Sequence, residues 1–134
     1  MSVVTTLWTM EGAAALTLAA VHGLAWLLDR RNLPSLALCV VAISLACYPI
    51  FDLGLMNAQS ATDYGQWLRW YYVPNFVFYL GCVLFVRSYL GTGRPWLAWT
   101  SVGGRFLVVV ANLLISPNVT WRSISSLRQV PFLG

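Results

Sequence analysis

Few residues in this chain can do chemistry, and their positions decide which chemistry is open. Of 134 residues, eight are Arg, four are Asp or Glu, one is His and none is Lys. Glu11 and His22 stand eleven residues apart in an otherwise apolar run. That is about three helical turns, so a helix carries both on one face. Arg105 stands in the middle of another apolar run, preceded by Gly103 and Gly104 and followed seven residues later by Asn112. A charge at the centre of a membrane helix costs about 2.5–3.5 kcal/mol on insertion scales, so it calls for a partner or a purpose. Glu11 is the carboxylate deepest in an apolar run and is the expected partner of Arg105, with Asp52 the second choice. An architectural ion pair and a ligand- or proton-sensitive pair are both open, because perturbed groups occur in either. Arg69 is expected to pair with Asp52 or Asp63 near one membrane surface.

His22 reads first as a hydrogen-bonded packing residue. The lesser reading sets His22, Cys39 and Cys82 at similar depths, a mixed nitrogen–sulfur set for a metal or haem. No cofactor is otherwise expected. The three Cys, with Cys47 the third, lie inside apolar runs and behave as small hydrophobes, so they suggest no disulfide framework. Trp67, Trp70, Tyr71 and Tyr72 crowd one short stretch, as anchors at the headgroup level do; an aromatic ligand box is the alternative. Asn118-Val119-Thr120 matches the glycosylation sequon, a tripeptide too common to carry weight. The chain holds no P-loop, nucleotide fingerprint, paired-His motif or nucleophile elbow.

The elements that must position these residues are membrane helices. Hydrophobic residues make up 59% of the chain and charged residues 9%, against about 25% charged in a soluble domain. A helix needs about 20 apolar residues to cross the hydrocarbon core. Four such spans are expected, over about 5–28, 34–55, 68–90 and 95–115. They form an all-α membrane bundle within residues 1–116. Asn32 and Pro34 fit the start of the second span, Pro95 the start of the fourth, and Pro49 predicts a kink in the second. Polar residues 57–63 are expected to form a loop. On the first span, Ala15, Ala19 and Gly23 make a small-residue stripe suited to close helix approach.

Arg30 and Arg31 lie between spans one and two, and Arg87 and Arg94 flank the turn between three and four. The positive-inside rule makes those loops cytoplasmic. The N-terminus and a tail over 117–134 are then outside, and that tail is expected to continue into a longer protein. The net charge of +4 is a topology signal on this reading, not a nucleic-acid footprint.

Trp67-Leu68-Arg69-Trp70-Tyr71-Tyr72-Val73-Pro74, Val86-Arg87-Ser88-Tyr89-Leu90, Gly93-Arg94-Pro95-Trp96-Leu97-Ala98-Trp99 and Leu127-Arg128-Gln129-Val130-Pro131-Phe132-Leu133-Gly134 resemble the N-terminal membrane region of certain bacterial sensor histidine kinases. The resemblance covers about the second half of the chain. It implies a non-catalytic signal-input role in the bacterial inner membrane, upstream of a cytoplasmic output module in the same chain or in a partner protein. A homodimer is compatible with that role. The chain itself carries no phosphoacceptor region, nucleotide-binding lobe or PAS module. The runner-up is a small transporter or channel subunit with a polar path lined by Glu11, His22 and Arg105. A membrane redox or metal-binding protein is third.

Overall fold

The computed structural model describes residues 3–91 and 93–115, and within them the chain is four long helices. Helix α1 covers Val3–Leu28. It stops where Asp29-Arg30-Arg31 replaces apolar side chains, and the Asp29 carboxylate accepts from the Arg31 backbone N–H at 3.0 Å. Asn32 caps the next helix by accepting from the Ser35 N–H at 3.1 Å, with Pro34 in the first turn. This leaves one of the orphan donors of the helix start satisfied.

Helix α2 covers Leu33–Met56 with Pro49 buried inside it. It ends at Asn57, whose side chain donates to the Leu53 carbonyl at 2.7 Å. Helix α3 covers Ala61–Phe85 and runs into a single π-helical segment, Val86–Leu90. Gly91, at φ 62°, and Gly93, at φ 96°, then turn the chain in a region that other residues rarely adopt. Helix α4 covers Pro95–Leu114.

Three of the expected spans match these helices to within two residues at each end. The third starts seven residues early, at Ala61 and not 68. Ser60 accepts from the Asp63 N–H at 3.0 Å, and Asp63 lies in the first turn, where an acid suits the helix dipole. The last three residues of the polar stretch expected as loop, 61–63, are therefore the first turn of α3. Only residues 57–60 separate α2 from α3. The expected tail over 117–134 lies outside the described residues.

All four helices are long and apolar enough to cross a membrane. They pack strictly in chain order: α1 meets α2, α2 meets α3, and α3 meets α4, while α1 touches neither α3 nor α4. The α1–α2 and α2–α3 contacts are extensive and the α3–α4 contact much sparser. Many of the buried residues are small: Ala15, Ala19, Ala37, Ala42, Ala46 and Ser44. Leu7, Met10, Leu16, Val21 and Leu24 on α1 are more than half exposed, as are Phe106 and Leu107 on α4. These faces suit lipid.

Candidate functional site

The small-residue stripe predicted on α1 forms its contact with α2. A Cβ on Gly12 would lie 3.7 Å from Pro49 Cγ, and one on Gly23 would lie 3.3 Å from Cys39 Sγ. Ala15 and Ala19 are buried between these points. Trp8 begins the same stripe, and its buried indole N–H has no acceptor among the described residues. Glu11 flanks the stripe and is exposed. Its carboxylate interacts electrostatically with Asp52 on α2, and the Tyr71 phenol on α3 lies in the field of both. Tyr71 in turn stacks on Tyr48 at 5.4 Å and meets Phe51 edge-on at 6.1 Å. An acidic pair with an aromatic rear wall therefore sits across three helices, toward the end of the layer that carries Asn57.

A second polar group lies between α3 and α4. The Arg105 guanidinium sits 5.4 Å from the Tyr79 ring, and the Tyr79 hydroxyl is 2.6 Å from Ser101 Oγ. Tyr72, Asn75, Phe76, Tyr79, Arg105 and Val108 line a cleft of about 130 Å³. Beyond it Asn112 is fully buried and donates to the Arg69 carbonyl at 3.0 Å. That carbonyl lies one residue from the one that loses its helical donor to Pro74, which is also buried. Phe76 and Phe106 close the seam at 5.7 Å.

The structure separates the two residues that the sequence paired. Glu11 is on α1 and Arg105 on α4, and those helices do not meet. Asp52, the second choice, is on α2, which also does not touch α4. Arg105 is exposed and takes an aromatic face in place of a carboxylate. Nor does Arg69 come within ion-pair distance of Asp52 or Asp63; its backbone carbonyl is what the seam uses. Asn112 holds the expected relation to Arg105, on the same side of α4, and is more deeply buried than any other polar residue described.

His22, Cys39 and Cys82 do lie at one level, as the contacts of Gly23 with Cys39 and of Gly81 with Ala37 and Val41 require. They do not converge. Among the described residues no three His, Cys, Asp or Glu side chains are placed to share a metal ion. Cys39 faces α1 from α2, whereas Cys82 is on the far side of α2, so the mixed donor set is not assembled within one chain.

Sequence reasoning missed Asn75 and Tyr79, and read Tyr71 first as a headgroup anchor. Their spacing was the available signal: three hydrogen-bonding side chains at intervals of four form a polar stripe along an apolar helix. It was hidden by reading the aromatic residues as headgroup anchors. Compared with protein families, curated proteins and solved structures, the chain matches none.

Proposed function

We propose that the chain is a membrane-embedded signal-input region, non-catalytic by itself, in which a stimulus changes how α4 sits on α3. The change passes to a cytoplasmic output module, in the same longer chain or in a partner protein. The observation that carries this reading is the contrast between a close-packed α1–α2–α3 unit and a sparse α3–α4 seam. A helix held by a few polar and aromatic contacts is drawn from the low-stability end of the structure, where switching elements are found. The π-helical segment Val86–Leu90 at the foot of α3 supports the same reading, since π-segments are rare and frequent at functional sites. Arg87 there lies 5.7 Å from the Trp99 ring of α4.

On this reading the end that bears Arg30, Arg31, Arg87 and Arg94 is cytoplasmic, the membrane is a bacterial inner membrane, and the N-terminus is outside. The transport alternative needs Glu11, His22 and Arg105 along one path, and α1 and α4 do not meet within a chain. It therefore draws no support from the packing.

Tyr79→Phe and Ser101→Ala remove the seam's hydroxyl pair while leaving most of its bulk. In the native cell, each is expected to shift the basal transcript profile in one shared direction, while lipid-facing Leu107→Ala leaves it unchanged. Silent variants, together with a gene deletion that changes solute uptake but no transcripts, overturn the sensor reading in favour of transport.

A further inference from the structure

The chain cannot neutralise Arg105 with any of its own side-chain carboxylates. It has four: Glu11, Asp29, Asp52 and Asp63. Asp29 lies at the Arg30 end of the layer and Asp63 in the first turn of α3 at the opposite end. Glu11 and Asp52 are on helices that do not touch α4. Residues 116–134 contain no Asp or Glu. The converse also holds, for Glu11 is exposed and no described Arg or His comes within ion-pair distance of it. Both residues lie in apolar helices, where an unpaired charge is disfavoured. Among the described residues neither charge meets its counter-ion, which leaves both open to a partner.

Both charges open on the same face of the helical layer. Residues four apart advance about 40° around an α-helix, so Tyr71, Asn75 and Tyr79 step across one face of α3, from its α2 side to its α4 side. Tyr71 feels Glu11 and Asp52 at the start of that arc. Asn75 and Tyr79 line the Arg105 cleft at its end. One face thus carries an acidic region over α1–α2 and a basic cleft over α3–α4, with hydrogen-bonding side chains between them.

A face of this kind is complementary to itself. We infer that two copies of the chain pack face to face about a twofold axis along the membrane normal, with Glu11 of each copy paired with Arg105 of the other. The rotation lays α1 of one copy over α4 of its partner and keeps every residue at its own depth, as parallel insertion in one bilayer requires. Both ion pairs form at once, and the interface closes without edges. The contacts Gly12–Pro49, Gly81–Val41 and Tyr79–Ser101 set the levels of the helices. They place Glu11 about three residues nearer the Asn57 end than Arg105, about 4.5 Å at the helical rise. Two long side chains that bend toward one another span that offset. Asp52, coupled to Glu11, reinforces the acidic side.

The test is energy transfer between donor- and acceptor-labelled full chains in phosphatidylcholine vesicles, with subunits counted by single-molecule bleaching. Wild type is expected to associate with two bleaching steps per complex. Glu11→Gln and Arg105→Gln are each expected to weaken association by about tenfold or more, since each leaves a charge unpaired at both contacts. Circular dichroism must show unchanged helix content in both. Glu11→Arg alone and Arg105→Glu alone should each be monomeric, and mixing the two should restore association, because each then supplies the sign the other lacks. Monomeric wild type, Gln variants that associate like wild type, or a mixture that fails to associate overturns the proposal. Association that disappears when phosphatidylglycerol is added also overturns it, assigning the anion at Arg105 to lipid phosphate. A ladder of more than two bleaching steps rejects the twofold arrangement in favour of an open head-to-tail array.

Discussion

Between α1 and α2 the backbones approach across Gly12, Ala15, Ala19 and Gly23, whereas α4 reaches α3 through a tyrosine–serine hydroxyl pair, a phenylalanine pair and one buried asparagine. The first contact is broad and apolar. The second is narrow and held at points. In lipid there is little hydrophobic drive between helices, so association rests on van der Waals fit and on interhelical hydrogen bonds. The two contacts divide these means between them. A fitted surface loses energy steeply when it shifts, because every atom pair loses contact together. A pinned seam can let go of one pin and keep the rest. The same chain thus has one unit suited to holding shape and one helix suited to changing position.

The largest effect expected is in the fitted unit. A Cβ on Gly81 would fall 2.7 Å from Val41 Cγ2 and 3.2 Å from the Val41 backbone N. Gly81→Leu forces α2 and α3 apart and should cost about 3 kcal/mol or abolish folding, in the range known for overpacked cores. Reversible unfolding in bicelles measures this. A cost below about 1 kcal/mol, judged against the same range, would mean that the α2–α3 contact is as adaptable as the α3–α4 seam.

A middle effect is expected at the strongest pin. Asn112→Ala removes a fully buried amide and its bond to the Arg69 carbonyl. Interhelical hydrogen bonds in membranes contribute about 0.6–2 kcal/mol, so a loss of that order is expected in the same assay. Hydrogen exchange should rise in α4 while α1 and α2 stay protected. Uniform loosening of all four helices would erase the distinction between the two regions.

The smallest effect belongs to the open side of α4. A Cβ on Gly104 meets nothing within 4 Å. Gly104→Ala should therefore be neutral or stabilise by up to about 1 kcal/mol through helix propensity. A clear destabilisation in the isolated monomer would reveal a neighbour on that side of α4. Destabilisation seen only at high protein-to-lipid ratio would place that neighbour in a second copy.

Four spans, the cap at Asn32, the Pro95 start of α4 and the small-residue stripe on α1 were legible in the sequence. Each depends on a local rule: the length of an apolar run, the chemistry of a helix start, or the spacing of residues on one face. The early start of α3 was legible too, in Ser60 and Asp63, but their capping pattern was outweighed by the polar composition around them. Which helices are neighbours, and which way Arg105 points, depend instead on the packing. Lipid and a neighbouring helix offer an apolar surface of nearly equal affinity, so hydropathy that assigns a residue to the membrane says nothing about which of the two it will face. The sequence therefore supports a Glu11–Arg105 pair as readily as it supports their separation. The order of packing separates them, because α1 spends its small-residue face on α2 and is left with no contact to α4.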